Sequence, residues 1–449
     1  MVESADLDLD FGDRSPPSIA SALSRAISEG DLAPAARLPT VRQLAAQLGV
    51  SPATVSAAWQ ALSRAGLIVS RGRAGSFVMQ GRAEWLTPRV QNLAAHPGVP
   101  ALDLSRGTPD PDLLPALAPA FARVSLSADA GSYSDAPVLT ELGELLARSW
   151  PHPAERITVL DGALDGMGRT LERLVSFGDR VAVESPGFPY LFDLLEALGA
   201  QVVPLDLDEH GVVPASLARA AATRLRAVVL QPRAQNPTGA SMTEERTDEL
   251  AAVLASVRDG DRVVVVEDDH SGMIATADDV TLARWMPGQV VHVRSFSKSH
   301  GPDLRLAALG GPAHIIDRVV ARRMLGPGWT SRILQRILVE LLTDPAAVAA
   351  VQGARERYRS RQAAVAASLR ECGVRIATPD GVNLWMPVAH ERQALLQLAA
   401  AGIAAALGSP FLVAPVPGDH LRLTTGLVPE PDAPRVARVL ADAAHRASP

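Results

Sequence analysis

Three short apolar periodicities follow the first residues of the chain. Ile19, Leu23 and Ile27 recur at helical spacing, as do Val41, Leu44, Ala45 and Leu48, and then Val55, Trp59 and Leu62. Gly30, Gly49 and Gly66 are placed to stop these helices, while Thr40 and Ser51, the latter followed by Pro52, are placed to cap the second and third. Two helices joined by a tight Gly-containing turn make a helix-turn-helix. Leu67-Ile68-Val69-Ser70 and Ser76-Phe77-Val78 flank Arg71-Gly72-Arg73-Ala74-Gly75, which predicts a hairpin with a basic, flexible tip. The period then fails over residues 81–100, where Gly81, Pro88, Pro97, Gly98 and Pro100 stand among scattered apolar residues and predict a linker. From Ala101 apolar runs alternate with helical segments. The runs are Arg156–Leu160, Val181–Val183, Val202–Leu205, Ala227–Leu230, Val263–Val266 and Val290–Val293. Continuous β-branched runs of this kind predict an α/β domain, a mostly parallel sheet with helices on both faces. The expected division is a mobile acidic arm over 1–14, a helical unit with its hairpin over 15–80, the linker over 81–100 and the α/β domain over 101–449.

Charge adds a contrast between the parts. The whole chain carries −6, which argues against bulk polyanion binding. Between Ser15 and Gln80, however, six arginines (25, 37, 42, 64, 71 and 73) face two acids, Glu29 and Asp31, so this segment carries 6 − 2 = +4. Such a local excess on a helix-turn-helix is the electrostatic footprint of DNA binding. The single Cys372 excludes an internal disulfide and a cysteine-rich metal site. With an acidic start and no apolar run long enough for a membrane span, a soluble, cytoplasmic protein without membrane partners is expected.

Lysine use points to the chemistry. Of 43 basic residues one is lysine, Lys298, and the other 42 are arginine. A primary amine can lose its proton and condense with an aldehyde, which a guanidinium does not do. Lys298 follows an apolar strand and stands with Ser295, Ser297 and Arg305, two hydroxyls and a guanidinium suited to a phosphate. An aldehyde that also carries a phosphate describes pyridoxal 5′-phosphate (PLP). The other strands also end in polar turns, where a parallel sheet binds ligands. After Leu160 the small-residue turn Asp161-Gly162-Ala163-Leu164-Asp165-Gly166 enters a helix whose first N–H groups suit a phosphate. After Val183 comes Phe188, a ring able to stack on a flat cofactor or to serve as core. After Leu230 come Asn236-Pro237-Thr238-Gly239, where Asn236 can offer an amide donor to a phenolate oxygen. After Val266 come Glu267-Asp268-Asp269-His270. A buried carboxylate there can keep a pyridine nitrogen protonated, and a metal reading of the cluster has one histidine nearby to draw on.

The stretch Leu38-Pro39-Thr40-Val41-Arg42-Gln43-Leu44-Ala45, with Ser51, Thr54 and Val55 after it, resembles the winged helix-turn-helix of GntR-family regulators. That resemblance implies DNA contacts from Arg42, Ser51, Thr54 and Ser56, and from Arg71, Gly72 and Arg73 at the wing. The family's usual arginine at the start of the third helix is replaced by the run Ser51-Pro52-Ala53-Thr54. Residues from about Leu102 onward resemble fold-type I PLP-dependent aminotransferases, on Asn236-Pro237-Thr238-Gly239 and on Ser295-Phe296-Ser297-Lys298 followed by Arg305.

The second resemblance implies a small C-terminal subdomain over about 345–449 and a role for each site residue. Lys298 forms the Schiff base, Asp268 pairs with the pyridine nitrogen, Asn236 binds the ring oxygen and Phe188 stacks. Ser295, Ser297, Arg305 and the backbone at Ala163 and Leu164 bind phosphate, Tyr133 reaches the partner subunit's phosphate, and Arg422 clamps an α-carboxylate. His270 stands where the family usually has tyrosine, and its titration near neutrality is expected to alter the bound cofactor. Together the halves resemble the MocR family of bacterial transcription regulators. The resemblance implies a homodimer, often head-to-tail, that binds an operator and senses PLP, an amino acid or an amine. The alternative is an active aminotransferase with an accessory winged helix, distinguished by turnover of an amino acid with a keto acid.

Overall fold

The computed structural model describes the chain apart from residues 1–8, 10, 12, 30, 34–35, 65–66, 71, 73–74, 79–86, 88, 91–99, 125–131, 258–259 and 446–449. Two compact units result, one made chiefly of residues 1–87 and the other holding nearly all of the rest.

In the first unit the three helices are α1 (Pro16–Glu29), α2 (Val41–Leu48) and α3 (Pro52–Arg64). Their apolar faces meet in a core of Ile19, Leu23, Leu44, Leu48, Val55, Trp59 and Leu62. Thr40 and Gln43 form a reciprocal capping box at the start of α2, and Gly49 ends it in the left-handed region at φ 67°. Ser51 Oγ accepts the Thr54 N–H at 3.1 Å and so opens α3. Strands β1 (Ile68–Ser70) and β2 (Ser76–Val78) pair antiparallel, with Ile68 opposite Val78, and form the wing. One expectation changes here. Phe11, in the acidic arm, is buried in this core, and Arg14 Nη1 donates to Leu48 O at 3.0 Å. One aromatic ring is enough to dock that end of the arm, which a composition-based reading of 1–14 as mobile overlooks.

The second unit opens with β3 (Leu102–Asp103) and continues with β4 (Arg156–Leu160), β5 (Arg180–Glu184) and β6 (Gln201–Leu205). A two-stranded ribbon, β7 (Leu207–Asp208) and β8 (Gly211–Val212), precedes β9 (Leu225–Leu230), β10 (Val264–Asp269), β11 (Val290–Ser295) and β12 (Ala307–Gly311). The main sheet has the order β4-β12-β11-β10-β9-β5-β6. The pairs β5–β9, β9–β10 and β10–β11 are parallel, and β12 runs antiparallel to both β11 and β4. The sheet is therefore mixed. Sequence periodicity missed β12 because it is Ala307-Ala308-Leu309-Gly310-Gly311, with no β-branched residue. Small residues are required there, since a Cβ on Gly310 would stand 2.6 Å from the Trp150 ring. Helices Pro214–Ala221 and Glu244–Ser256 pack Leu217, Leu250 and Leu254 into one core cluster with Val228 and Val265. Helices Thr140–Arg148 and Arg332–Thr343 pack Leu142, Leu146, Ile337 and Leu338 into another, with Val159 and Ala308.

The chain ends in a layer built on the long helix Pro345–Glu371, strands β13 (Leu384–Val388), β14 (Ile403–Ala404), β15 (Ala406–Leu407) and β16 (Asp419–Leu423), and helix Ala433–His445. Val365, Leu369, Leu384, Met386, Leu421, Leu423, Val436 and Leu440 share one core. Leu104 joins this core, and β3 pairs with β14 in parallel, Leu102 opposite Ile403. The first described strand of the unit is thus sewn to its last layer. A two-residue strand followed by Ser105-Arg106-Gly107 carries no periodic signal for that placement.

Removing the Thr40 hydroxyl tests the cap. Thr40→Ala is expected to lower the stability of the N-terminal unit by about 1 kcal/mol, read as an earlier first transition in calorimetry, with later transitions unmoved.

Candidate functional site

The parallel strands β5, β9, β10 and β11 end at Glu184, Leu230, Asp269 and Ser295, and the polar turns that follow them bring the expected residues together. Asp268 is 2 % exposed. Its Oδ2 accepts from Gln231 Nε2 at 2.7 Å, while Oδ1 is buried without a partner. Burial, and then the charge of Asp269, push its carboxyl up to about 6 against the Gln231 hydrogen bond, His292 and Lys298. The group is largely ionised at neutral pH, with one oxygen waiting for a donor. Gln231 also accepts the Asn236 N–H through Oε1 at 2.7 Å, so one side chain fixes both the carboxylate and the Asn236 turn. Asn236 Oδ1 accepts from Asn383 Nδ2 at 3.3 Å, which leaves its own amide nitrogen as the remaining donor.

Lys298 is part-buried, and its Nζ donates to Gly107 O. Burial and the charge of Arg422 push the amine down to about 8, and Asp268 opposes them. A sizeable uncharged fraction at neutral pH is what a nucleophilic amine requires. His270 Nδ1 is buried without a partner, and Nε2 lies 3.2 Å from Ser271 Oγ. Burial and Lys298 push this imidazole down to about 4. The expectation that His270 titrates near neutrality is therefore corrected: the ring is neutral there and Nδ1 is free to serve a ligand oxygen. Phe188 is half-buried beside Glu184, Gln231 and Asp268 around a small void, with its ring 5.3 Å from that of Tyr190. Glu184, whose carboxyl burial pushes up to about 8, accepts from Gln231 N and from Gln235 Nε2, both at 3.1 Å.

The phosphate side gathers at the end of β4. Helix Ala163–Leu174 begins just after Gly162, at φ +107°, and its first N–H groups have no partner within the helix. Arg305 Nη2 donates to Asp161 O at 3.1 Å, and a Cβ on Gly162 would sit 2.7 Å from that nitrogen. Glycine is therefore required where guanidinium and helix start converge. Ser295 is buried, its Oγ accepting from Ser297 N at 3.2 Å, and Ser297 is part-buried.

Arg422, on β16 opposite Trp385, is 4 % exposed and makes no ion pair among the described residues. Its nitrogens donate to Ser105 O at 2.6 Å, Asn383 Oδ1 at 3.3 Å and Thr424 Oγ1 at 3.4 Å, and the group lies 5.3 Å from the Phe411 ring centroid. Burial pushes it down to about 10, with Asp103 opposing. Sequence reasoning did not single out Gln231, Asn383, Gly107 or Glu184. Gln231 was the readable one, as the first residue after β9; Asn383 and Gly107 reach the site only through the fold.

Tyr133 is not brought to these residues. It is 88 % exposed, with its ring 5.8 Å from that of Trp329. Asp269, Asp279 and His292 come close enough to hold a metal ion, but Arg233 binds Asp269 through two bonds of 2.9 and 2.8 Å, and Arg294 binds Asp279 at 3.0 Å. Those carboxylates are already neutralised. In the N-terminal unit Arg42 and Gly72 are exposed, Ser51 and Thr54 sit at the start of α3, and Ser56 is half-buried. Arg71 and Arg73 lie outside the described residues.

Because Lys298 is the only lysine, its titration can be followed chemically on the peptide that carries it, apart from the chain's α-amine. Its reaction with an amine-selective reagent in the cofactor-free protein is expected to rise through about pH 8. Arg422→Leu removes a repelling charge and should move that inflection upward; an unmoved inflection would contradict the coupling.

These residues fit PLP. The unpaired Asp268 Oδ1 faces no donor of the protein's own, His270 Nδ1 is likewise unmet, and Arg305 stands against the Gly162 turn at the helix start, where a phosphate is met by a guanidinium and free N–H groups. Comparison with known proteins agrees. Residues 99–440 match the family model for aminotransferase class I and II, a class whose cofactor is PLP, and residues 17–78 match that for bacterial regulatory proteins of the gntR family. The chain is 36 % identical to the vitamin B6 salvage pathway transcriptional repressor PtsJ of Salmonella typhimurium, over 86 % of this chain and 88 % of the relative. It is 32 % identical to the HTH-type transcriptional regulator TauR of Rhodobacter capsulatus, over 87 % and 88 %. The pyridoxine biosynthesis regulator PdxR of Corynebacterium glutamicum is 28 % identical, over 80 % and 81 %. In fold, the α-aminoadipate aminotransferase LysN of Thermus thermophilus superposes with a TM-score of 0.69 at 22 % identity, over 80 % of this chain and 94 % of that one. A winged helix of the gntR kind, an aminotransferase fold and regulators matched along most of their length place this chain in the MocR-type family of transcription regulators.

Proposed function

We propose that this protein is a DNA-binding regulator whose aminotransferase-like domain holds PLP through Lys298 and reports on PLP itself or on an amino-acid or amine effector. One observation carries the reading. A part-buried lysine and a buried arginine, Lys298 and Arg422, lie within electrostatic reach of each other, and Arg422 has no carboxylate partner among the described residues. When bound, PLP supplies an aldehyde that bonds amines and a ring that withdraws electrons. Lys298 Nζ would make the covalent bond. Asp268 Oδ1 would accept the ring N–H, Asn236 and His270 would meet the ring oxygen, and Phe188 would lie against the ring face. Ser295, Ser297, Arg305 and the first N–H groups at Ala163 and Leu164 would hold the phosphate, and Arg422 would clamp the carboxylate of an effector.

The DNA contacts are assigned to Arg42, Ser51, Thr54 and Ser56 at the paired helices, and to Arg71, Gly72 and Arg73 at the wing. A homodimer in the cytoplasm, arranged head-to-tail with Tyr133 reaching the partner subunit's phosphate, completes the reading. PtsJ and PdxR are named for vitamin B6 pathways, which supports PLP as the first effector to test. An effector that binds one conformation better shifts how strongly the DNA-binding units engage.

Two substitutions separate the halves. Lys298→Ala is expected to abolish the long-wavelength absorption of bound PLP and blunt the effector response while leaving basal operator binding in place; a variant that keeps both signals would remove Lys298 from the scheme. Arg42→Ala is expected to weaken operator binding about tenfold, in line with removal of one phosphate or base interaction of about 1–3 kcal/mol, with an unchanged cofactor spectrum. Unchanged DNA affinity would take Arg42 out of the interface.

A further inference from the structure

The other edge of the main sheet carries a second concentration of charge. At the amino ends of β9, β10 and β11 a cavity of about 220 Å³ is lined by Arg173, Arg226, Arg262, His314 and Arg318, and no acid among the described residues lines it. Because β9, β10 and β11 are parallel, this edge is opposite the carboxyl ends where Lys298 and Asp268 stand. The cavity is therefore separate from the cofactor site. Four guanidiniums meeting in one concavity are unexpected in a chain whose net charge is −6.

Local structure explains why they converge. Arg226 is held by backbone carbonyls, donating to Leu174 O at 2.6 Å and to Arg262 O at 3.4 Å, which orients its guanidinium without neutralising it. Arg173 comes from the last turn of helix Ala163–Leu174. His314 and Arg318 stand four residues apart, on one face of helix Ala313–Met324. Arg173, Arg226, Arg262 and Arg318 make no ion pair among the described residues. Acids on the same helices are engaged elsewhere or lie outside the lining: Asp165 binds Arg169 at 2.8 Å, Asp317 binds Arg156 at 3.0 Å, and Glu172 does not line the cavity. Like charges gathered this way repel one another until an anion joins them. Planar guanidinium forks match a tetrahedral oxyanion.

We infer that this cavity binds a phosphate group, supplied either by the backbone of bound DNA or by a phosphorylated metabolite. The probe is tungstate, a phosphate-shaped dianion, soaked into crystals of the PLP-loaded full chain so that the cofactor's own phosphate position is filled. An anomalous peak is expected at Arg226, and its loss in the Arg173→Ser/Arg318→Ser variant, whose two side chains are exposed. The salt dependence of binding to a duplex from upstream of the protein's own coding region then names the source. If DNA is the donor, the double variant lowers the slope of log affinity against log salt by about 0.9 for each phosphate it no longer neutralises, with or without a tungstate peak. A tungstate peak with an unchanged slope assigns the cavity to a small phosphorylated molecule. No peak in the unsubstituted protein together with an unchanged slope overturns the inference.

Discussion

The site is governed by a part-buried Lys298 and a buried Arg422 within electrostatic reach of each other, with one partly satisfied carboxylate, Asp268, to offset them. Burying charge without a full set of partners is unfavourable, and each unmet polar atom adds about 1–3 kcal/mol. Three such atoms, Asp268 Oδ1, His270 Nδ1 and Arg422 Nε, occur in this one region. The folded chain tolerates them because the surrounding scaffold is rigid. Gln231 ties Asp268 to the Asn236 turn, Asn383 ties Asn236 to Arg422, and Gly107 accepts from Lys298. A ligand with a protonated ring nitrogen, a phosphate and a carboxylate would relieve the imbalance. Binding free energy of that kind becomes stability of the liganded state.

The same electrostatics act on His270, at the position where the sequence resemblance leads one to expect tyrosine. A phenol stays neutral at physiological pH by virtue of its high intrinsic pKa. His270 stays neutral for a different reason, since burial and Lys298 hold it at about 4. The exchange preserves a neutral group at that point while changing its shape and its donor–acceptor pattern.

Much of this was legible in the sequence, for identifiable reasons. The capped helices of the N-terminal unit and the β-branched strands have strong local signals, and Lys298 announced itself by being alone among 42 arginines. The turns after β4, β5, β9, β10 and β11 could be found because a parallel sheet delivers its carboxyl ends to one place. What escaped notice depends on residues distant in sequence. β12 hides in an alanine–glycine run made necessary by Trp150, and Gly107 and Asn383 become site residues only because β3 and the chain's last layer fold back together. Phe11 was missed because one buried ring in an acidic segment leaves no period.

Cofactor binding and DNA binding lie in different units of the chain, so regulation requires that ligand free energy alter the affinity of one for its operator. The most direct measurement is the affinity of the purified protein for DNA upstream of its own coding region, with and without saturating PLP. Salt must be fixed, because phosphate contacts make the affinity steeply salt-dependent. A regulator that senses through Lys298 shows specific binding whose affinity or footprint changes with PLP, or with an amino acid or amine added to the PLP-loaded protein. Specific binding indifferent to all of these ligands, beside rapid turnover of an amino acid with a keto acid, would contradict it.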